Sequence, residues 1–359
     1  PGRPPSLALQ PLAAGLPPVR QLGGDQTPRL AMKGADGRAY TFRNLITHPE
    51  RILPKEWHDT VVADLFQDQM SAGHPGVAPI FSHIARSVGI IYEESRLAIM
   101  PDDPVLGQWR ETFANQVGTF DSYPLPGVDG ITEIVGSQEF YLKWLESPQN
   151  RVDSRQVLKA RLLDLASGNW DRHRNQWRWA RVQGKELWQP VPEDPDQCFS
   201  RYGGWGIAGA RHMQPKFMEY SGEYPGRIEG LTYNNGDINR WLLSDLEWPV
   251  YEEVARELQA QLTDELIDEA MRRVPPEWYD VRGAEMAGWL RQRRDGLLDY
   301  AREFYAHLAD KVDVRGSNTD DVARVTRRAD DTVEVTLATL RSDGSESEPY
   351  FRRRFSPED

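Results

Sequence analysis

The sequence predicts an α+β fold of two lobes, in which a small β-rich N-terminal lobe precedes a larger, mostly helical C-terminal lobe with a β segment at its end. Three observations support this prediction. Short alternating strands begin near residue 29, a polar connector bounded by prolines stands at residues 101–104, and apolar residues recur at helical spacing through most of the second half. A chain of 359 residues is long enough to bury such a core. The predicted divisions are a proline-rich linker or arm (1–28), the N-terminal lobe (29–104), the helical C-terminal lobe (105–315) and the β-rich segment (316–359).

The composition indicates a globular protein and argues against one class of partner. The sequence is 39% hydrophobic and 27% charged, which is typical of a folded domain. A net charge of −12 argues against a nucleic-acid binder, which normally carries a basic face. No run of eighteen apolar residues predicts a helix that spans a bilayer. The single cysteine, Cys198, is predicted to be a buried thiol.

The N-terminal lobe is predicted to open with a hairpin. Residues 30–33 form a strand, residues 34–37 the turn and residues 38–45 the returning strand. Because strand side chains alternate, Tyr40 and Phe42 point to one face while Thr41 and Arg43 point to the other. The other predicted elements are helices at 60–70, 77–88, 253–274 and 283–312, a strand at 97–100, an apolar helical stripe at 157–165 and β structure at 322–355.

The stretch from Gly168 to Trp179 carries the most informative polar groups. Asp171 lies in a short loop, where a carboxylate can orient a hydroxyl and accept its proton; the alternative is a turn cap or a pair with Arg172. His173 is interpreted as a structural prop of the loop rather than a base. Asn175 and Gln176 offer amide oxygens suited to Mg or Mn, and one of the two is predicted only to be hydrated at the surface.

A second acidic loop follows after an intervening strand. Asp194 and Asp196 stand in a segment stiffened by Pro192 and Pro195. Carboxylates so close together repel each other unless a cation offsets their charge, and a divalent metal that bridges nucleotide phosphates would do so. The alternative is an exposed acidic turn.

A nucleotide also needs a cation for its phosphates. Arg43 on the returning strand is the first candidate and Lys33 on the facing strand the second, the latter more typical of an exposed strand charge. Asp68 or Asp64 on the next predicted helix could pair with Arg43. The glycine patterns of Rossmann and P-loop proteins are absent from the sequence. The tryptophans around this region, which are better explained by core packing than by sugar stacking, are Trp170, Trp177, Trp179, Trp188 and Trp205.

Several motifs resemble those of atypical protein-kinase-like families. The run Gly168-Asn-Trp-Asp-Arg-His173 resembles the catalytic loop of secretory-pathway casein kinases, and similar loops occur in HipA-type kinases and phosphoinositide kinases. The pattern of Pro192, Asp194, Asp196 and Phe199 resembles the metal-binding segment of CotH-type kinases. The segments at 68–75 and 100–103 are similar to bacterial kinase-like domains that are often fused to surface-antigen outer-membrane barrels.

The resemblance implies a bilobal protein-kinase-like fold with roles for particular residues. Asp171 would be the catalytic base and Asp196 the metal-binding carboxylate. Gln176 stands where related kinases have a metal-binding Asn, and Arg43 stands where they have the strand lysine. The resemblance also implies that the nucleotide site includes Asp68, Met100 and Asp102.

The resulting hypothesis is a phosphotransferase that uses ATP with Mg or Mn and an acceptor of unspecified kind, with protein as one candidate. Arg43 and Gln176 favour an alternative, a pseudokinase that binds a partner protein or envelope component without catalysis. A third hypothesis keeps the fold but transfers AMP or ligates glutamate. The resemblance further implies a bacterial extracytoplasmic location, in the periplasm or cell envelope, and a membrane association through a fused barrel outside this sequence.

Overall fold

The N-terminal part of the molecule is a five-stranded antiparallel sheet. The computed structural model describes residues 17–22, 28–34, 37–45, 73–201 and 219–357. Within these residues the strand order is β1-β2-β3-β5-β4, with every neighbouring pair antiparallel. The strands are β1 (Pro18–Leu22), β2 (Arg29–Lys33), β3 (Ala39–Asn44), β4 (Glu94–Ile99) and β5 (Val117–Ser122).

The two faces of this sheet differ in chemistry, as the alternation in β3 predicts. Phe42 is completely buried among apolar side chains, and Tyr40 packs against the same cluster with its ring stacked 5.1 Å from that of Phe120. The short helical segments Pro104–Trp109 and Arg110–Phe113 (the latter α2) cover this face. The opposite face carries Thr41 and Arg43 and is polar. The sheet therefore presents a row of polar side chains to the rest of the molecule.

Two predictions about this lobe are wrong. Residues 18–22, assigned to an unfolded proline-rich arm, form the edge strand β1, where Pro18 at the first position withholds no interior ladder hydrogen bond. The boundary predicted after Pro104 falls inside the lobe, because β5 lies between β3 and β4 in the same sheet. The Met100 backbone N–H donates a hydrogen bond of 2.9 Å to the Gln116 carbonyl across the intervening segment.

Most of the remaining chain is helical, as predicted. The predicted helix at 77–88 is confirmed as α1 (Val77–Ser87), whereas the one at 60–70 lies outside the described residues. The other helices are α3 (Ser137–Glu146), α4 (Ser154–Ser167), α5 (Glu229–Thr232), α6 (Gly236–Leu242), α7 (Trp248–Gln261), α8 (Asp264–Met271), α9 (Pro276–Asp295) and α10 (Leu297–Ala309).

Helix α4 is the central helix of this region and leads into the polar loop. Asp153 caps its start, because its carboxylate accepts a hydrogen bond of 3.1 Å from the Gln156 backbone. The predicted apolar stripe is confirmed, since Val157, Leu158, Leu162 and Leu165 are all buried. The helix is thus held on all sides, and the loop that follows it starts from a rigid support.

Two long helices predicted from apolar spacing are each divided in the structure. The segment predicted at 253–274 breaks between α7 and α8, where the Thr263 hydroxyl accepts a hydrogen bond of 3.2 Å from the Leu266 backbone and starts a new helix. The segment predicted at 283–312 breaks at Gly296, between α9 and α10. Apolar periodicity continues across both breaks, which is why it does not reveal them.

Two three-stranded antiparallel sheets complete the fold. The first has the order β6-β7-β8 and carries the two polar loops at the ends of its strands. The second, with the order β11-β10-β9, confirms the β structure predicted at 322–355. The strands are β6 (Ile131–Gly136), β7 (Trp177–Val182), β8 (Gln189–Pro192), β9 (Asp321–Arg327), β10 (Val333–Thr339) and β11 (Phe351–Phe355).

The described chain is thus a mixed α+β fold with a β-rich N-terminal part and a helical C-terminal part, as predicted. Core packing accounts for Trp170, Trp177, Trp179 and Trp188, each at most 5% exposed; Trp205 lies outside the described residues. No helix among the described residues has the length and apolar character needed to cross a membrane.

Candidate functional site

The polar loop begins at a glycine that the geometry requires. Gly168 adopts the left-handed conformation (φ 77°) that ends α4, and its backbone N–H reaches the carbonyl oxygens at the end of that helix. A β-carbon at this position would also lie 2.7 Å from the ring of Tyr220. Conformation and space therefore both exclude a side chain at residue 168.

Asp171 is positioned by two asparagines. The buried Asn169 donates a hydrogen bond of 3.2 Å to Asp164 of α4, and its own Oδ1 accepts one of 3.3 Å from the Asp171 backbone. Asn234, 63 residues away in sequence, donates from Nδ2 to Oδ1 of Asp171. The carboxylate is half-buried and held at the surface of the loop.

Arg172 anchors the loop from beneath. Its guanidinium is fully buried and forms a bidentate pair with Asp164, with Nε–Oδ2 and Nη2–Oδ1 distances of 2.9 Å each. Nη1 donates to the backbone oxygen of Gln176 at 3.1 Å and also to that of Glu193. One side chain therefore ties the central helix to both polar loops.

The acidic loop after β8 is joined to the first loop by its backbone. The Glu193 N–H donates to the Gln176 carbonyl at 2.9 Å, and the Phe199 N–H donates to the Ser167 carbonyl at 2.9 Å. Asp194 and Phe199 adopt positive φ angles of 54° and 58°, which non-glycine residues rarely do. Such strain persists only where surrounding contacts impose it. These contacts therefore hold the loop in one conformation, and it is not an exposed acidic turn.

Arg43 crosses from the sheet to this loop. Its Nη1 and Nη2 atoms contact Oδ1 and Oδ2 of Asp196 at 3.0 and 2.9 Å, and Nη1 also contacts Oδ1 of Asp194 at 3.4 Å. The Arg43 side chain is 19% exposed, so the ion pair is partly shielded from water. A two-pronged contact of this kind is the strong form of an arginine–carboxylate pair.

A cleft of about 210 Å³ lies at this contact. Arg29, the neighbour of Arg43 on β2, lines it on the sheet side together with the buried carboxylates Glu93 and Asp121. The remaining lining residues are Ala78, Thr119, Tyr123, His173, Asn175, Gln176, Glu193, Asp194 and Pro195. The cleft is thus strongly acidic, with two arginines on the sheet side.

The electrostatics of the cleft reflect this excess of acid. Burial and the nearby Asp121 raise the pKa of Glu93, and burial likewise raises the pKa of Glu193. Partial burial and the Asp194 carboxylate raise the pKa of Asp196 to about 7, against the opposing effect of Arg43. Burial of Asp194 would raise its pKa, but the positive charge of Arg43 helps to outweigh this effect, and the pKa of Asp194 is lowered. The two aspartates therefore titrate as a linked pair of which Asp194 ionises first.

The amides of the first loop have different environments. Gln176 is 7% exposed, lines the cleft, and leaves its buried Oε1 atom without a hydrogen-bond partner among the described residues. Asn175 is exposed at the rim. His173 accepts a hydrogen bond of 3.2 Å from the Asn175 backbone through Nδ1, which caps the turn Arg174–Gln176.

The structure does not bring the other predicted nucleotide-site residues to this cleft. Lys33 is exposed at the end of β2. Met100 is fully buried on the apolar face of the sheet, and Asp102 is exposed and paired with Arg110. Asp68 and its predicted alternative Asp64 lie outside the described residues.

A divalent metal is compatible with the donors present. No cluster of three His, Cys, Asp or Glu side chains that could hold a metal occurs within the described residues. Mg²⁺, however, is usually held by one or two carboxylates together with phosphate and water oxygens, and does not need an all-protein cage. Asp194 and the unpartnered Oε1 of Gln176 line the cleft, and Asp196 shares the Arg43 guanidinium with Asp194, so that these residues offer such a partial set.

Comparison with solved structures finds similarity to atypical kinases at low sequence identity. The Helicobacter pylori proinflammatory kinase CtkA aligns at 11% identity with a TM-score of 0.43, over 80% of this chain and 96% of CtkA. The Golgi casein kinase with Mn/ADP bound aligns at 10% identity with a TM-score of 0.38, over 86% of this chain and 73% of that one. HipA from the Shewanella oneidensis MR-1 toxin–antitoxin system aligns at 13% identity with a TM-score of 0.38, over 80% and 67%. No family model and no curated protein matches the sequence.

These structures include two of the kinase types that the sequence motifs resemble, the casein kinases and the HipA-type kinases.

Several site residues were not predicted from the sequence. Glu93 and Asp121 line the cleft from the sheet side, and Asn234 contacts Asp171 from a distant turn. For Asp121 a signal existed, because it shares one face of β5 with Thr119 while the intervening Phe120 points to the other.

Proposed function

We propose that the chain is a phosphotransferase that uses ATP with Mg or Mn. The observation that carries this proposal is the contact of Arg43, on the third strand of the N-terminal sheet, with Asp194 and Asp196 on the loop beside Asp171. Protein kinases place a phosphate-binding cation on the third strand, a metal-binding carboxylate on a later loop and a catalytic Asp on the loop before it. The same order of parts occurs here along the chain.

The metal would be held by Asp194, Asp196 and Oε1 of Gln176. When bound, it would offset the negative charge of the nucleotide phosphates. Without such a cation, a triphosphate would enter a cleft that already holds the Asp194 carboxylate, whose pKa is lowered, so that repulsion would oppose binding. Arg29 and Arg43 are the cleft-lining cations available to contact phosphate oxygens.

Asp171 would act on the acceptor. Its carboxylate orients the acceptor hydroxyl and takes the hydroxyl proton while the hydroxyl oxygen bonds to the γ-phosphorus. The bond from that phosphorus to the bridging oxygen breaks, and ADP leaves with its electron pair. Asn234 and Asn169 hold the carboxylate and its backbone in place. The same proposal includes a protein or envelope component as acceptor and a bacterial extracytoplasmic location, on motif resemblance.

Calorimetric titration of Mg-ATP tests the proposal. The parent protein should bind, and Asp196→Ala should weaken the affinity by at least about tenfold while the fold is retained. Asp310→Ala, which removes an exposed carboxylate at the end of α10, is the matched control and should bind like the parent. A parent protein that binds no nucleotide, or an Asp196→Ala variant with parental affinity, would overturn the assignment.

Two observations favour a second candidate, a binding module without catalysis. The bidentate pair with Arg43 engages both oxygens of Asp196, and Gln176 replaces the usual shorter amide. A thermal-shift screen with nucleotides and metals separates the candidates, because a ligand that binds only the native state raises its stability. Intact-mass measurement after incubation with ATP then distinguishes an added phosphoryl group from an adenylyl group or a glutamate.

A further inference from the structure

We propose that Arg43 is a built-in counter-cation that holds the place of the metal between Asp194 and Asp196, so that a divalent cation binds only by displacing its guanidinium. This inference rests on the metal site of the proposed function and adds a competition within it. The guanidinium contacts three of the four oxygen atoms of the two carboxylates. A metal held by the same carboxylates competes for these oxygen atoms and is repelled by the positive charge of the guanidinium, so the two cations oppose each other's binding.

The rest of the site is prepared for the exchange. The acidic loop is held by backbone bonds from Glu193 to Gln176 and from Phe199 to Ser167, and by Arg172 beneath it. None of these contacts involves Arg43, so the loop should keep its course when the guanidinium leaves. Oε1 of Gln176 is buried, lines the cleft and has no hydrogen-bond partner among the described residues. A buried acceptor of that kind is satisfied by a cation or a water.

The displaced guanidinium can contact other acidic side chains of the cleft. Asp121 is buried in the same cleft, two residues from Thr119, which is the direct strand partner of Arg43. Glu93 lines the cleft as well. These carboxylates, or the phosphates of a nucleotide, can receive the positive charge once Asp196 is taken by a metal. Nucleotide binding should therefore draw Arg43 away from Asp196 and favour the metal, a coupling that is reciprocal by thermodynamic necessity.

A titration with Mn²⁺ in the absence of nucleotide, monitored by electron paramagnetic resonance, tests this proposal. Arg43→Gln should bind Mn²⁺ at least about tenfold more tightly than the parent, since it removes a competing charge-assisted contact. Arg29→Gln is the matched control. It removes the same charge from the neighbouring strand of the same cleft, but within the described structure Arg29 forms no ion pair with Asp196.

Two further variants complete the design. Arg43→Lys keeps the charge but loses the two-pronged geometry, and should give an affinity between those of the parent and Arg43→Gln. Adding Asp196→Asn to Arg43→Gln should abolish the gain, which locates it at that carboxylate. Equal Mn²⁺ affinities for the Arg43→Gln and Arg29→Gln variants would overturn the competition while leaving the proposed metal site standing. Absence of Mn²⁺ binding by every variant, with circular dichroism showing folded proteins, would overturn both.

Discussion

Gly118 on β5 leaves no room for a side chain against Arg43. A β-carbon at residue 118 would stand 2.4 Å from the carbonyl oxygen of Arg43 and 2.5 Å from the ring of Phe42. Both distances are far below van der Waals contact, and one of the opposing atoms belongs to the backbone. The close approach of these strands therefore sets the position from which the Arg43 side chain reaches Asp196.

Gly118→Ala should consequently disturb both stability and the site. We expect a loss of about 1–3 kcal/mol in the free energy of unfolding, because the added methyl group must push β3 or the Phe42 ring aside. Nucleotide affinity should fall as well, since β3 carries Arg43. Denaturant unfolding and calorimetry measure the two effects. Gly288→Ala in α9, where a β-carbon meets no atom within 4 Å, should instead stabilise the protein by about 0.5–1 kcal/mol. Equal effects of the two substitutions would contradict the steric argument.

Removal of Arg172 should destabilise the protein strongly. The change Arg172→Met leaves Asp164 with one of its two arginine partners and deprives the carbonyls of Gln176 and Glu193 of a donor. We expect a loss of about 3–5 kcal/mol, the usual effect of breaking a buried ion pair from one side. Arg256→Met removes an exposed pair with Glu252 one helical turn away and should cost less than about 1 kcal/mol. Urea unfolding of both variants gives the comparison.

Substitution of Asp171 should separate turnover from binding. In Asp171→Asn the shape is kept but the group no longer accepts a proton, so ATP turnover should fall by about 10²–10⁴-fold. Mg-ATP affinity should stay close to that of the parent, because Asp171 lies outside the lining of the cleft. Phosphate release and calorimetry measure the two quantities. Parental turnover would show that Asp171 is not the base.

Asn234 is expected to be a positioning residue for Asp171. Its Nδ2 atom donates to Oδ1 of that carboxylate, and Asn234→Ala removes the bond without touching the cleft. A hydrogen bond to a charged group corresponds to about ten- to a hundredfold in rate. We expect that loss in kcat with little change in nucleotide affinity or unfolding temperature. Asn234→Asp, which adds a repelling carboxylate, should lower kcat further and move the pH–rate profile to higher pH. A variant that loses affinity or stability but keeps kcat would contradict the positioning role.

The sequence revealed the parts of the site whose signals are local. Alternation in β3 predicted that Arg43 points away from the apolar face on which Phe42 packs. The polar loop after α4 and the acidic loop after β8 were identified from residue type and spacing. Their proximity follows from the hairpin of β7 and β8, which returns the chain to its starting edge. The apolar stripe of α4 was also predicted correctly, because a buried helix needs apolar residues on most of its surface.

Other features depend on contacts between distant parts of the chain. Asn234 meets Asp171 across 63 residues, and nothing in its surroundings in the sequence distinguishes it from a surface amide. The boundary of the N-terminal lobe was misplaced because β5 returns to pair with β3 after the proline-bounded connector. The helix breaks at Thr263 and Gly296 were missed because the apolar spacing continues through them. Tertiary contacts decide the first two cases, whereas the helix breaks lie at a capping Thr and at a Gly, local signals that the continuing apolar spacing obscures.

The pH dependence of metal binding provides a last prediction. Partial burial and Asp194 raise the pKa of Asp196 to about 7, and a protonated carboxyl group is a poor metal ligand. Mn²⁺ affinity should therefore be highest above pH 7 and fall by up to about tenfold for each pH unit below it. Stability in the absence of metal should follow the opposite course. Because the folded pKa exceeds the unfolded one, the folded state binds the extra proton, and the contribution of this group to stability is lost as pH rises through about 7.

Titrations of Mn²⁺ affinity and unfolding temperature across that range test both signs with one matched variant. Asp196→Asn cannot ionise at residue 196, so its stability should lose the pH dependence that this carboxyl group contributes, and its Mn²⁺ affinity should be low at every pH. The parent should also be stabilised by Mn²⁺ more at pH 8 than at pH 6, since the stabilisation by a ligand that binds only the native state grows as its Kd falls below its concentration. Mn²⁺ affinity in the parent that is constant or increases on acidification would contradict the assignment of Asp196 as the titrating ligand.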